Sequence, residues 1–267
     1  MKSLLVISLL AVSSYVGAQT DRVSVCDVAR AIGTLQGGSL ASVDVNADGR
    51  SDVADVRSLA DFVLSTAVTG RLAGHDYVDL GLPSGTLWAT VNIGAESAEQ
   101  YGSYFAWGET SPKSTYDWTN YAFSDGSSRE AMTTYTATDG LTQLQPQHDA
   151  ASQLWGAGWR MPTDAQAIEL RDESLCTWTP HTLNGVDGYM VTSKSNGRSI
   201  FLPYSGYVKV DCLYLSGVAG HYWTSTLNNT TTARSMVVHT SGFAMSNLRY
   251  HGRCIRPVAC FSFSLAR

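Results

Sequence analysis

At His75 the apolar pattern of the chain changes period, and that change limits what it can fold into. Upstream, Val25–Leu35 and Val53–Val63 repeat apolar residues at helical spacing. Downstream, Tyr77-Val78-Asp79-Leu80 and Leu87–Val91 read as short strands divided by Pro83-Ser84-Gly85. Further strands are expected at 189–192, 200–202, 222–226, 235–239, 242–245 and 254–258, with Asn196-Gly197 as the hairpin turn between the first two. Two helices interrupt them. One runs from Asp149 to Trp155 and stops at Gly156; in the other, Thr163 and Gln166 form a capping box ahead of Ile168 and Leu170. Helices followed by antiparallel strands argue an α+β domain. Residues 111–147, rich in Ser, Thr, Tyr and Asp, read as a long loop region, where binding surfaces often lie.

Composition narrows the function classes. Charged residues make up 15% of the 267 and the formal net charge is −5. A nucleic-acid partner is therefore not expected, because phosphate contacts need clustered Lys and Arg. With 7 Trp, 13 Tyr and 7 Phe the chain carries enough aromatic surface to bury a core. Met1-Lys2, the apolar run from Leu4 to Val12 and the small residues Val16-Gly17-Ala18 read as a signal peptide over 1–18, with the mature chain starting at Gln19. Ser13 and Ser14 break that run well short of the ~18 apolar residues needed to span a bilayer. The expectation is export to the periplasm, cell surface or medium, with no transmembrane segment after cleavage. The 5 Cys are an odd number, so at least one stays free or pairs with another chain. The four in the C-terminal part allow three connectivities that the sequence does not rank.

The strongest metal signal is Asp44-Val45-Asn46-Ala47-Asp48-Gly49-Arg50-Ser51-Asp52-Val53-Ala54-Asp55. Side-chain oxygens fall at loop positions 1, 3, 5, 9 and 12, and Gly49 takes the sharp turn at position 6. The Arg50 carbonyl is placed to add another ligand, so the donor set suits one calcium ion. A helix follows this loop but no amphipathic helix precedes it, unlike an EF-hand. The unit resembles the dockerin family, whose duplicated loop–helix units carry Asp at position 12. Carried over, the calcium ligands are Asp44, Asn46, Asp48, Arg50, Asp52 and Asp55. The earlier copy, around Ser24 and Asp27, lacks the remaining ligand positions, so a single Ca2+ is implied. Dockerins meet cohesins partly through loop positions 10 and 11, held here by Val53-Ala54 and Val25-Cys26. The resemblance thus implies a cohesin-like or cell-surface protein partner; a helical cap on the following domain is the other reading of residues 19–70. Residues 71–76 read as a linker, 77–259 as the large domain and 260–267 as a tail.

In the large domain Asp79–Ala89, Tyr104–Thr110, Gly158–Thr163, Tyr222–Thr226 and Arg253–Val258 occur in order. Together they resemble the Fibrobacter succinogenes major paralogous domain, common in exported proteins of Bacteroidetes. The resemblance implies a C-type-lectin-like fold, related to that of formylglycine-generating enzymes, and brings no defined reaction. Trp88, Trp159 and Trp223 are expected in the core, and Arg160 and Arg256 to pair with carboxylates or carbonyls. Trp107, Tyr116, Trp118 and Tyr121 border or occupy the long loop and are the candidates for an exposed aromatic platform that binds glycan.

Catalytic patterns do not emerge. The sequence contains no GxSxG nucleophile elbow and no HExxH zinc pair. Cys254 and Cys260 invite comparison with the formylglycine-generating relatives but fall outside their active-site sequence. Gln145-Pro146-Gln147 does not reproduce the sugar-binding triplets of calcium-dependent lectins. The expectation is therefore a non-enzymatic exported binding or adhesion module. The alternatives are an enzyme of carbohydrate metabolism or protein modification carried by the dockerin-like segment, and a structural surface protein.

Overall fold

A computed structural model describes residues 69–156, 158–239 and 245–259. The signal segment, the Asp44–Asp55 loop with its helices, most of the strand expected at 242–245 and the tail lie outside the described residues. The chain divides into two units between Ala67 and Val68, and only the second is described below.

That unit is built mainly from antiparallel sheets, with two short α-helices among the described residues. Its first strands are β1 (Gly70–Leu72), β2 (His75–Asp79) and β3 (Leu87–Ala89). Helix α1 (Ala150–Trp155), strand β4 (Trp159–Arg160) and helix α2 (Asp164–Leu170) follow the long loop. Strands β5 (Cys176–Leu183), β6 (Val186–Ser193) and β7 (Ser199–Pro203) form one meander. A two-stranded hairpin, β8 (Tyr207–Lys209) and β9 (Cys212–Tyr214), comes next. Strands β10 (Gly220–Leu227), β11 (Thr232–Val238) and β12 (Met245–Leu248) form a second meander. The last strand, β13 (Val258–Ala259), inserts between β3 and β4 to complete a sheet ordered β1-β2-β3-β13-β4.

This central sheet divides the core in two, and strand alternation does the sorting. Leu87 and Ala89 enter a cluster with Phe105, Trp107, Tyr121, Tyr135, Trp159, Trp223 and Ile255. Their neighbour Trp88 faces the opposite cluster, with Leu80, Leu170, Val191, Leu202, Tyr222 and Val238. Val258 and Ala259 split the same way. The expected core tryptophans Trp88, Trp159 and Trp223 are all buried.

Both helices obey the capping chemistry in the sequence. Asp149 Oδ1 accepts from Ala151 N (2.9 Å) and Ser152 N (3.1 Å), while Oδ2 accepts from Met161 N (2.8 Å), tying α1 to β4. Thr163 and Gln166 form the reciprocal capping box of α2. The Asn196-Gly197 turn joins β6 to β7. A tighter, two-residue turn at Asn184-Gly185 joins β5 to β6, and both of its residues have positive φ (49° and 79°), whereas in the longer β6–β7 connection only Gly197 does.

Several expectations change. Residues 71–76 are not a linker: β1 and β2 pair there through a turn at Ala73-Gly74. Trp159 Nε1 donates to the Leu72 carbonyl at 2.9 Å, and the His75 ring stacks on Trp155 at 3.7 Å, so this hairpin is anchored to the domain. The strand expected over 254–258 shrinks to Val258–Ala259 with isolated bridges at Arg253 and Cys254. Pro257 has no N–H to give to a ladder.

Candidate functional site

The sequence pointed to Trp107, Tyr116, Trp118 and Tyr121 as an exposed platform. Trp107, Tyr116 and Tyr121 are instead buried, and Trp118 is half-buried against the first core cluster. For Trp107 and Tyr121 the cause is a cation that the loop wraps, whereas Tyr116 is held by its bridge to Val210 and by its hydroxyl, which donates to the Tyr104 carbonyl. The Arg249 guanidinium carbon lies 5.0 Å from the Trp107 ring, 5.4 Å from Tyr121 and 5.8 Å from both Phe123 and Tyr135. Cation–π attraction is strongest for such a desolvated pair. Tyr121, Phe123 and Tyr135 of the long loop thus turn inward, with Trp107 at its border, around an arginine more than 100 residues away in sequence.

Exposed apolar surface gathers elsewhere. Val210, Leu213, Tyr214, Leu215 and Val218 are 40–51% exposed, all within the β8–β9 hairpin and the segment that follows it. Beyond this stretch only Leu154 and Ile168 are large exposed hydrophobics among the described residues. The hairpin is also strained. Val210 and Leu215 hold φ of 56° and 57°, where an L-residue is disfavoured by about 1–2 kcal/mol. Gly206, at φ 64°, admits the return of the chain, since a Cβ there would run into the Tyr214 carbonyl. Strain of this kind persists where surrounding structure over-determines it. Here the bridges Tyr116–Val210 and Val208–Gly252 hold the hairpin against the domain.

Beneath the hairpin lies a basic and aromatic cluster. Tyr207 stacks on its cross-strand partner Tyr214 with centroids 5.5 Å apart. The same Tyr207 ring is 5.0 Å from the His221 ring, 5.7 Å from the His251 ring and 5.0 Å from the Arg253 guanidinium. Trp223 packs on that guanidinium at 4.9 Å. Arg253 Nη1 donates to His221 Nδ1 at 2.5 Å. Nδ1 is therefore an acceptor, and in the neutral ring the proton sits on Nε2. Burial, reinforced by the Arg253 charge, lowers the His221 pKa to about 3 and that of His251 to about 4. Burial likewise brings Arg253 down to about 9, so it remains a cation at neutral pH.

Three arginines lie buried within 249–256, and their partners differ. Arg249 donates through all three nitrogens, to Tyr121 Oη, the Tyr135 and Thr230 carbonyls and the Thr134 carbonyl. Arg256 does the same, to Asn92 Oδ1 and the carbonyls of Ala89, Thr90 and Phe201. Arg160 follows the expected pattern too, donating to Gln166 Oε1 and the Met161 carbonyl. Arg253 differs: its Nε is buried without a hydrogen-bond partner, as are His221 Nε2 and both ring nitrogens of His251.

The three cysteines among the described residues are not prepared as nucleophiles. Cys254 is buried, its thiol donates to the Tyr101 carbonyl at 3.1 Å, and burial pushes its pKa up to about 12. Cys176 is buried and raised to about 11 for the same reason. Cys212 is exposed in β9, and its thiol donates to Asp211 Oδ1 at 3.3 Å, an interaction that raises its pKa. Thiolate chemistry needs the opposite shift. A shallow hollow of about 200 Å³ lined by Gly81, Leu82, Leu175, Lys194 and three serines is smaller than the ~300–1,000 Å³ usual for ligand pockets. Among the described residues no group of His, Cys, Asp and Glu could hold a metal ion, and no helix is long and apolar enough to cross a membrane.

The hairpin surface left no clear mark in the sequence. Its apolar residues do not alternate cleanly, and only the Leu213-Tyr214-Leu215 triplet, flanked by Asp211 and Ser216-Gly217, hints at an exposed apolar turn. Comparison with protein families, curated proteins and solved structures finds no match to this chain.

Proposed function

We propose that this chain is an exported, non-enzymatic binding module whose contact surface is the β8–β9 hairpin. The observation that carries this reading is the concentration of Val210, Leu213, Tyr214, Leu215 and Val218 as exposed apolar side chains on one short, strained hairpin and the segment that follows it. Contiguous exposed apolar surface is expensive in water and marks places where another surface docks. Stacked Tyr207 and Tyr214 add aromatic faces of the kind that pack on sugar rings. The signal segment supports export, and the ordered aromatic motifs support kinship with the Fibrobacter succinogenes major paralogous domain and its C-type-lectin-like fold.

The dockerin-like segment supplies assembly or domain docking. Its all-oxygen donor set at Asp44, Asn46, Asp48, Arg50, Asp52 and Asp55 fits one hard cation, calcium. Bound there, calcium would order the loop ahead of its helix and so present that helix to a cohesin-like partner.

A glycan array probed with the full chain and with Tyr214→Ala tests the hairpin reading. Binding that Tyr214→Ala weakens about tenfold is the expected result. Binding indifferent to Tyr214→Ala would remove the hairpin as the contact surface. Release of product from a bound glycan would replace this reading with an enzymatic one.

A further inference from the structure

From Arg253 and the two histidines around it we infer a recognition site for a carboxylate-bearing ligand beneath the β8–β9 hairpin. The inference rests on the hairpin as contact surface and names the chemistry that the surface recognises. A guanidinium offers two forks of donors, and a carboxylate accepts from one fork through both oxygens. In Arg253, Nη1 is committed to His221 Nδ1. The opposite fork is Nε with Nη2; Nε is buried without a partner, and Nη2 donates to none of the described residues.

The neighbours fit the same ligand. His221 presents Nε2–H as a buried, unpartnered donor, because its Nδ1 already accepts from Arg253. His251 adds a second buried imidazole with neither nitrogen paired. All three residues are at least nine-tenths buried and surround the Tyr207 ring. A buried donor left unpaired is destabilising, so native chains retain several together where a ligand or water completes them. Arg249 and Arg256 are the internal comparison. They are equally buried in the same stretch of chain, and every nitrogen of theirs has an oxygen acceptor. Their bonds account for their burial, and those of Arg253 do not.

Charge selects among anions. The buried part of the cluster carries one cation, Arg253, flanked by imidazoles that burial holds neutral; Lys209, Arg129 and Asp117 act on His251 from outside it, two positive charges against one negative. One positive charge within aromatic walls matches a monoanion; a phosphate dianion would bring a second, uncompensated charge into a desolvated site. Tyr214, the exposed member of the stacked Tyr207–Tyr214 pair, provides the face on which the remainder of a ligand such as a uronic acid would lie.

The test follows the Nε–H resonance of Arg253 in the full-length ¹⁵N-labelled chain, assigned by side-chain correlation to its own backbone. Sodium acetate and sodium glucuronate are titrated against glucose, sodium chloride and inorganic phosphate at matched ionic strength. The expected result is a saturable shift with acetate and glucuronate, tighter for glucuronate, and little or none with the other three. Arg253→Lys, which keeps the charge and loses the fork, is expected to weaken glucuronate about tenfold. Should that variant not fold, the wild-type titration decides alone. An Nε–H that carboxylates leave unmoved, or that chloride or phosphate moves as strongly, overturns the inference. Glycan binding that persists beside a silent Nε–H would overturn this site and leave the hairpin reading standing. A responsive Nε–H with glycan binding indifferent to Tyr214→Ala would do the reverse.

Discussion

Mild acid should destabilise this domain through His221 and His251. A histidine of ordinary pKa 6.5 is nearly all charged at pH 5, whereas these two, at about 3 and about 4, stay neutral in the folded chain. Their folded pKa values are depressed, so the unfolded state takes up protons that the folded state refuses. Stability is whole above pH 6.5 and falls as pH drops toward 4 and then 3. At pH 5 the difference is 2.303RT × (6.5 − 5), about 2 kcal/mol for each histidine. Because both rings feel the charge of Arg253 and are partly screened by solvent, the combined loss is nearer 2–3 than 4 kcal/mol. That is a large share of the ~5–15 kcal/mol that holds a typical domain folded. Arg253 and His239 act on His221 in the same direction as burial. Lys209 and Arg129 do so for His251, with Asp117 opposing. Asp149 has the opposite sign, since burial raises its carboxyl above the ordinary carboxylate value. Urea melts at pH 7.5 and pH 5.0 measure the loss. His251→Gln, which cannot take up the proton, should roughly halve the gap between the two midpoints. Equal midpoints at the two pH values in the wild type would refute the reasoning, and with it the neutrality of the buried imidazoles.

Other substitutions separate structural from strained positions. Arg256→Met strands Asn92 Oδ1 and three carbonyls in the interior; urea unfolding should show a loss of about 3 kcal/mol or more. Val210→Gly relieves a β-branched residue at φ 56°, so the free energy of urea unfolding should rise by about 1 kcal/mol; a lower unfolding free energy would mean that bridging and packing outweigh the strain. In the N-terminal segment, calcium is expected to raise the wild-type melting temperature and to leave Asp44→Ala unchanged. No calcium response in the wild type would sink the loop assignment.

Local chemistry was legible wherever the cause was local. The Thr163–Gln166 capping box, the Asp149 cap, the Gly156 stop and the Asn196-Gly197 turn each depend on residues a few positions apart, and each forms as the sequence indicates. The Trp88, Trp159 and Trp223 assignments also hold, because large aromatic residues in strand and turn patterns have few places to go but inward. The hairpin at 71–76 looks like a linker in the sequence because its anchor is distant: Trp159 reaches back 87 residues to the Leu72 carbonyl. The aromatic platform failed for a related reason. Trp107 and Tyr121 look like binding residues in a polar loop until Arg249, 128 residues beyond Tyr121, is placed among them.

The change of pattern at His75 thus determined a domain of short antiparallel strands with two capped helices, because periodicity and capping are properties of neighbouring residues. Tertiary structure alone decided which aromatics are spent on the core and which buried arginine is left with a free fork. Cation–π cages, carbonyl clamps and an exposed apolar hairpin are built from segments far apart in the chain, and no spacing in the sequence records their meeting. Arg249, Arg253 and Arg256 read alike along the chain, and they differ only in the acceptors that the fold brings to each.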